Sequence, residues 1–211
     1  MSQFAAPVVV TRGPADEAAP LVVLLHGRGA DEQSIIGVAE HLPEGPTYAA
    51  VRAPIAEGGG YAWFANRGIG RPIESSLAET MAWFRGWLDE VALEGRPVAL
   101  IGFSGGAAFA GGLVLAEPNR YAGAAILYGT LPFDAGVPVT PGRLAGTSML
   151  VAQGDSDTVI PRELLDATWA YLHDDSGATV RARRDPGGHG ITPETLNELA
   201  DWVSELVQGA E

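Results

Sequence analysis

The sequence predicts one α/β domain over residues 1–211, with a mainly parallel central sheet, flanking helices and little or no lid domain. Apolar runs of strand length alternate along the chain with segments whose apolar residues recur every three or four positions, the pattern of parallel strands joined by crossover helices. A length of 211 residues suits a single domain, and no shift in composition marks a second one. Glycines and small polar residues directly follow several apolar runs, which is typical of loops at one edge of a parallel sheet.

Strands are predicted where apolar residues dominate a short run. These runs cover residues 7–10, 21–25, 48–51, 98–101, 124–128 and 148–152. Residues 21–25 are Leu-Val-Val-Leu-Leu, as expected of a strand covered on both faces of the sheet. Residues 179–183 alternate between apolar and polar side chains, so an edge strand is expected there, and residues 7–10 are expected to form a peripheral first strand.

Helices are predicted where apolar residues repeat at helical spacing. They cover residues 35–42, 75–94, the glycine- and alanine-rich segment after Ser104, residues 162–172 and residues 193–207. Asp31 and Glu32 precede the first helix, where the positive end of the helix dipole favours acidic side chains. Gly95 ends the second helix and Pro161 begins the fourth, in agreement with the preferences of these residues for helix ends.

Two segments show no regular pattern. Residues 52–71 are long, rich in glycine and irregular, and a loop of this length in a compact domain is usually functional or disordered. Tyr61, Trp63 and Phe64 within it favour an ordered loop, because large aromatic side chains contribute much burial. Residues 131–146 are rich in proline and glycine and have no periodicity.

Composition excludes several classes of chemistry. All 13 basic residues are arginine, so Schiff-base catalysis and a Walker-type phosphate loop, which both need lysine, are excluded. The absence of cysteine excludes disulfides, a thiolate nucleophile and cysteine-based metal sites. A net charge of −13 argues against nucleic-acid partners and anionic membranes. We find neither a signal-peptide pattern nor an apolar run long enough for membrane insertion, so we expect a cytoplasmic protein.

The segment around Ser104 carries the first chemical signal. Residues 102–106, Gly-Phe-Ser-Gly-Gly, fit the pattern G-x-S-x-G between a predicted strand and a predicted helix. Small residues on both sides of the serine allow the sharp turn that exposes its hydroxyl in a nucleophile elbow. The motif alone is weak, because glycine is abundant in this chain, and a packing turn is the alternative. Ser104 is therefore a candidate nucleophile whose partners must be found elsewhere in the sequence.

His189 is the candidate base among the four histidines. A serine hydroxyl is a weak nucleophile at neutral pH, and imidazole titrates in the range that can activate it. Residues 186–190, Pro-Gly-Gly-His-Gly, place His189 on a loop between the last predicted strand and the last helix. His41 and His173 are interpreted as surface residues, and His26 as a side chain that braces a turn.

Asp157 is the candidate for the carboxylate that orients this base, with Asp155 as a rival and Asp134 as a weaker one. The chain order Ser104, Asp157, His189 is that of the α/β-hydrolase arrangement and differs from the orders in chymotrypsin and subtilisin. An oxyanion hole also needs two backbone N–H groups. Gly105 follows the nucleophile at a helix N-terminus, and Arg28 lies between two glycines after the strand at residues 21–25, so these two residues are the candidates.

Five segments together resemble one family. They read LLHGRGADE, WFANRG, LIGFSGGA, GDSDTVIP and DPGGHGI, and in this order and spacing they are similar to the phospholipase/carboxylesterase family of small α/β-hydrolases, which includes acyl-protein thioesterases. The resemblance runs from about residue 20 to the C-terminus. It implies the triad Ser104, Asp157 and His189, an oxyanion hole from the N–H groups of Arg28 and Gly105, and no cofactor or metal. One position departs, because the family commonly carries glutamine where this chain has Gly105, which puts the substrate range in doubt more than catalysis.

The expected function is that of a serine carboxylic-ester hydrolase acting on short- to medium-chain acyl esters of small molecules through an acyl-enzyme. Trp63, Phe64, Leu131 and Phe133 are candidate walls of the substrate pocket, with core packing as the alternative for each. A thioesterase acting on acyl-proteins or acyl-CoA uses the same triad and stays open, as does a non-catalytic binding protein with a hydrolase fold. The physiological ester, the enantioselectivity and the oligomeric state are left open.

Overall fold

A seven-stranded sheet forms the centre of the molecule in this computed structural model, which describes residues 4–93 and 95–209. The eleven strands within these residues are β1 (Val9–Arg12), β2 (Leu21–Leu25), β3 (Thr47–Val51), β4 (Ile55–Glu57), β5 (Gly60–Ala62), β6 (Asn66–Gly68), β7 (Arg71–Pro72), β8 (Val98–Phe103), β9 (Gly123–Leu127), β10 (Ser148–Gly154) and β11 (Thr179–Asp185). The central sheet has the order β1-β3-β2-β8-β9-β10-β11, and β4–β5 and β6–β7 form two separate hairpins. In the central sheet β1 pairs antiparallel with β3, and the other neighbours pair in parallel.

In the described part of the chain, five α-helices connect the strands and cover both faces of the sheet. They are α1 (Glu32–Ile36), α2 (Glu74–Val91), α3 (Gly105–Ala116), α4 (Arg162–Ala170) and α5 (Pro193–Gln208). The apolar side chains of α2 and α3 pack on one face, where Phe84 and Phe109 are fully buried. Those of α1 and α5 pack on the other face, where Ile35 and Trp202 are buried. Because both faces are covered, all five residues of β2 are buried, as its apolar run predicts.

The predicted α/β class and every predicted strand are confirmed, with strand ends displaced by at most two residues. The first helix begins earlier than predicted, because Asp31 caps it by accepting the backbone N–H of Ser34 at 3.0 Å. It also ends early, at Ile36, and continues as a 3₁₀ turn over Gly37–His41. The second helix ends at Val91 rather than at residue 94, which lies outside the described residues. The fourth helix gives way at Tyr171–Asp175 to a π-helical turn.

The segment 52–71 is not irregular, which corrects the prediction for it. It contains the β4–β5 hairpin, and its end contributes to the β6–β7 hairpin. Strands of two or three residues are too short to produce a recognisable alternation in the sequence. Gly58 and Gly59, with φ of 58° and 86°, make the turn of the first hairpin, where residues with a Cβ would be strained. Residues 131–146, by contrast, form turns without a helix or strand, as expected.

The sheet brings four loops to one edge. Because β2, β8, β10 and β11 run parallel, the loops that follow them leave the sheet at the same side. These loops begin at His26, Ser104, Asp155 and Pro186. None of the helices in the described part of the chain combines the length and the apolar content of a membrane span.

Candidate active site

Ser104 lies on a strained turn between β8 and α3. Its backbone has φ of 54° and ψ of −113°, a conformation that costs about 1–3 kcal/mol and persists only where the surroundings enforce it. The glycines on either side allow close packing of this turn. A Cβ on Gly102 would come within 2.2 Å of the carbonyl oxygen of Gly106, and a Cβ on Gly106 within 2.1 Å of that of Leu25. Both glycines of the motif are therefore required by the contact between α3, β8 and β2.

A continuous line of hydrogen bonds joins Ser104, His189 and Asp157. The distance from Ser104 Oγ to His189 Nε2 is 2.9 Å, and that from His189 Nδ1 to Asp157 Oδ2 is 2.8 Å. A carboxylate can only accept hydrogen bonds, so Nδ1 carries the imidazole proton and Nε2 is free to accept the serine hydroxyl. This is the arrangement in which an imidazole can act as a general base towards the serine.

The loop after β10 holds Asp157 rigidly. Its side chain is fully buried, and its second oxygen, Oδ1, accepts the backbone N–H groups of Val159 at 2.8 Å and Ile160 at 3.1 Å. The two rivals lie elsewhere. Asp155 and Asp134 are both exposed. The backbone of Asp134 has φ of 53°, and its carbonyl accepts a hydrogen bond from Arg67. The geometry thus brings Asp157, and neither rival, to His189.

The other three histidines lie away from the serine hydroxyl. His41 and His173 are exposed, and His173 Nδ1 bonds to a backbone carbonyl one helical turn earlier. His26 is fully buried at the end of β2. Its Nδ1–H donates to the carbonyl of Gly27 at 2.8 Å, and its Nε2 accepts the backbone N–H of Ala53 at 3.0 Å. Burial lowers the pKa of His26 below its ordinary 6.5, so the ring stays neutral and braces the loop.

Backbone N–H groups of two loops meet beside Ser104. Gly105 is the first residue of α3, and a Cβ placed on it would lie 3.3 Å from the backbone nitrogen of Arg28. In residues 4–93 and 95–209, neither the N–H of Arg28 nor that of Gly105 has a recorded protein acceptor. Two adjacent unpaired N–H groups, one of them at a helix N-terminus, favour the binding of a negatively charged oxygen.

A cavity of about 640 Å³ opens next to Ser104. Its lining includes the candidate catalytic and oxyanion residues Ser104, His189, Arg28 and Gly105. It also includes Trp63 and Phe64, which are two of the four predicted wall residues. Most of the remaining lining is apolar, and it includes Ile35, Phe103, Ile69, Val159, Ile160 and Ile191. Ile69 and Val159 are 54% and 43% exposed, so they form the outer rim.

The structure places the other two predicted wall residues outside this lining. Leu131 is fully buried against α3, where its side chain lies close to Gly111. Phe133 is half-buried and packs on the small apolar cluster of Ile160, Leu164 and Leu165. Thr130, directly before Leu131, does line the cavity, but the side chains of Leu131 and Phe133 pack elsewhere, and this corrects the assignment of both residues to the pocket.

Several cavity residues were not identified from the sequence. Val159 and Ile160 follow Asp157 by two and three residues, and Ile191 follows His189 by two, so closeness along the chain could have indicated them. Ile35 and Ile69 had no such signal, because they reach the cavity from α1 and from the β6–β7 turn. Within the described residues, no group of three or more histidine, aspartate or glutamate side chains is arranged to hold a metal ion.

Comparisons with known proteins show what the whole chain is similar to. Residues 6–207 match the profile of a family described as phospholipase/carboxylesterase. Carboxylesterase SOBER1 of Arabidopsis thaliana is 28% identical over 148 residues, which are 67% of this chain and 64% of that protein. A crystal structure of a carboxylesterase from Mesorhizobium loti is 28% identical and covers 97% of both chains, with a TM-score of 0.81. The Bacillus cereus carboxylesterase has the same fold, with a TM-score of 0.83 at 24% identity over 96% of this chain and 95% of that one.

Proposed function

Because the chain belongs to the phospholipase/carboxylesterase family and is an enzyme of the serine esterase type, we propose that it hydrolyses short- to medium-chain acyl esters with Ser104, His189 and Asp157 as its catalytic triad. The observation that carries this proposal is the line of hydrogen bonds from the buried carboxylate of Asp157 through His189 to the hydroxyl of Ser104. An oriented imidazole with its Nε2 2.9 Å from a serine hydroxyl on a strained turn is the arrangement that activates this nucleophile.

The reaction proceeds in two acyl transfers. Ser104 Oγ forms a bond to the carbonyl carbon of the ester while its proton moves to His189 Nε2, and the carbonyl electron pair moves onto oxygen. The N–H groups of Arg28 and Gly105 stabilise this oxyanion. When the bond to the alcohol breaks, His189 returns the proton to the leaving oxygen. Water then attacks the acyl-enzyme in the same way and releases the acid, while Asp157 stays ionised and stabilises the imidazolium.

The cavity supports a small, apolar substrate. Its lining in the described part of the chain contains no acidic side chain and one arginine, Arg28, whose guanidinium already binds Glu57 and the carbonyl of Phe64. A volume of about 640 Å³ lies in the range of small-molecule sites. No arginine in the described part of the lining is therefore free to bind a phosphate, which favours simple esters over acyl-CoA.

Labelling with a fluorophosphonate probe tests the nucleophile. We expect the wild type to be labelled and Ser104→Ala to be unlabelled, with kcat for p-nitrophenyl butyrate lowered by about 10⁴–10⁶-fold, as in other serine-triad enzymes. Ser75→Ala is the matched control, because Ser75 is exposed on α2 away from the cavity. Labelling of Ser104→Ala, or hydrolysis by it well above background, would show that another residue is the nucleophile.

The same preparation separates the alternative functions. A non-catalytic binding protein would leave the probe unreacted in the wild type. Parallel assays of matched oxygen esters and thioesters distinguish an esterase from a thioesterase, since the triad serves both. Faster turnover of long-chain than of butyryl esters would contradict the proposed preference for short and medium chains.

A further inference from the structure

The side chain of Arg28 is held by the first hairpin. Its Nε donates to Glu57 Oε1 at 2.6 Å, and its Nη2 donates to Oε2 of the same carboxylate, so the ion pair is bidentate. Its Nη1 donates to the backbone carbonyl of Phe64 at 2.9 Å. Glu57 is the last residue of β4 and is absent from the cavity lining in the described part of the chain, so it binds Arg28 from outside the site.

The backbone next to Arg28 pairs with the same hairpin. The N–H of Gly29 donates to the carbonyl of Tyr61 at 2.9 Å, and the N–H of Tyr61 donates to the carbonyl of Ala30 at 3.0 Å. The approach is close, because a Cβ on Gly60 would come within 2.0 Å of the carbonyl oxygen of Gly29. The hairpin thus holds the residues after Arg28 through the backbone, and Arg28 itself through its side chain.

The N–H of Arg28 shares its peptide plane with the carbonyl of Gly27, which accepts from His26 Nδ1 at 2.8 Å and from the N–H of Ala30 at 3.2 Å. The ion pair with Glu57 restrains the same backbone from the side of Arg28. Glycines stand on both sides of Arg28, and Gly29 has φ of 81°, so the backbone at this point has more conformational freedom than other residues would allow. The direction of an N–H group depends on the peptide plane, which an anchored side chain on the same residue helps to hold. Stabilisation of an oxyanion requires such a donor to be preorganised.

We propose that Glu57 is a positioning residue that holds the backbone N–H of Arg28 in the oxyanion hole through its bidentate ion pair with the Arg28 side chain. This role rests on the proposed function. Glu57 contacts neither substrate nor reacting atoms, and it acts through Arg28 alone. The two side chains are 33% and 43% exposed, so the pair contributes little to global stability, and its loss affects the reaction rather than the fold.

Substitution of Glu57 in the full-length enzyme tests this role. Removal of a whole oxyanion donor lowers kcat by about 10²–10³-fold, so a donor that is displaced but present should cost about ten- to a hundredfold. We expect Glu57→Ala to lower kcat for p-nitrophenyl butyrate by this factor while KM changes by less than about threefold. Glu57→Gln should fall between Glu57→Ala and the wild type, because the amide oxygen still accepts one hydrogen bond from Arg28.

The Arg85–Glu117 pair provides a matched control. Its side chains are 28% and 40% exposed, close to the values for Arg28 and Glu57, and it lies outside the cavity lining. Glu117→Ala should keep kcat and KM within about twofold of the wild type. Inhibition by a trifluoromethyl ketone, to which Ser104 adds to form a tetrahedral oxyanion, depends on the oxyanion hole. The inhibition constant would not change if Glu57 had only a structural role. Under the proposed role it should rise in Glu57→Ala by the factor by which kcat/KM falls.

A double substitution examines whether the two side chains act together. In an Arg28→Ala background, Glu57→Ala should have no further effect on kcat, because the anchor is already lost. Unchanged kcat in Glu57→Ala beside an active wild type would overturn the positioning role and leave the proposed triad intact. A rise in KM with kcat unchanged would also overturn it, since Glu57 would then act in substrate binding. A wild type that neither hydrolyses the ester nor reacts with the fluorophosphonate would overturn both proposals.

Discussion

Replacement of His26 by glutamine or by asparagine separates the two hydrogen bonds of its buried ring. Glutamine places an amide oxygen where Nε2 now accepts the N–H of Ala53, whereas asparagine places an amide N–H where Nδ1 now donates to the carbonyl of Gly27. Ala53 is 1% exposed, so its N–H has no access to water when the acceptor is removed. The carbonyl of Gly27, by contrast, keeps the N–H of Ala30 as a donor at 3.2 Å when the ring is lost.

The magnitude follows from the cost of the unpaired N–H. A buried donor without a partner costs about 1–3 kcal/mol, and in a domain of about 200 residues 1 kcal/mol lowers Tm by about 2–4 °C. His26→Asn should therefore melt about 2–12 °C below His26→Gln. His26→Ala should be less stable than either, because it also removes the ring that packs 5.2 Å from the ring of Trp63.

The same ring gives the wild type a pH dependence. Burial holds the pKa of His26 in the folded protein below 6.5, whereas the unfolded chain takes up a proton near 6.5. The free energy of unfolding therefore falls as pH drops below 6.5, by at most about 1.4 kcal/mol per pH unit, and it continues to fall until the folded pKa is reached. His26→Gln lacks this titration. As pH falls from 7.5 to 5.5, its free energy of unfolding should therefore rise relative to that of the wild type.

Thermal unfolding followed by circular dichroism at several pH values measures both effects. His173→Gln is the control, because His173 is exposed and its removal should leave the pH dependence unchanged. Equal melting temperatures for His26→Gln and His26→Asn would refute the account of the Ala53 hydrogen bond. A wild type and His26→Gln that keep a constant difference across this pH range would refute the account of the buried neutral ring.

Two further substitutions probe the cavity wall and the buried end of β11. Gly105→Gln introduces the residue that is common at this position in the family. The new side chain would occupy a wall of the cavity, so kcat/KM for p-nitrophenyl butyrate should fall about tenfold relative to kcat/KM for p-nitrophenyl acetate. An unchanged ratio would contradict this. Asp185→Asn should lower Tm by about 2–12 °C at pH 7, because the buried carboxylate accepts from Tyr128, Thr195 and Arg183. Burial alone would raise the pKa of Asp185, but these three donors hold it below its ordinary 3.8 in the folded protein. The difference in Tm between the wild type and Asp185→Asn should therefore stay constant well above pH 3.8, and should shrink as pH falls from there through the lower pKa of the folded protein.

The central sheet was predictable because a strand buried on both faces consists of apolar residues, and such runs are visible in the sequence. β2 is fully buried, and its five residues are correspondingly all apolar. The strands of the short hairpins have no such apolar run. β4 and β5 have three residues each. Their packing requires a glycine at position 60, but in the sequence Gly60 is only one of three consecutive glycines, so nothing distinguishes it.

The candidate triad was predictable for a different reason. Parallel strands bring the loops at their carboxyl ends together, so Ser104, Asp157 and His189 could be grouped without knowledge of any contact between them. The walls could not be grouped in this way. Leu131 comes four residues after the end of β9 and packs against α3, where Gly111 leaves space for it, whereas Thr130 beside it lines the cavity. The direction of a loop after it leaves the sheet depends on such packing, which no spacing along the chain records.

The two halves of the proposed machinery are therefore held by different means. The orientation of His189 comes from a buried carboxylate that is itself fixed by two backbone N–H groups of its own loop, so it depends on local sequence. The proposed restraint on the Arg28 N–H comes partly from its own loop, where His26 and Ala30 donate to the carbonyl of the same peptide group. The other part comes from residues about thirty positions later, on a hairpin attached through one exposed ion pair and a few backbone contacts. Because an exposed ion pair is easily altered without loss of the fold, oxyanion stabilisation is the half of the mechanism that surface substitutions can tune, while changes to the triad reach into the core.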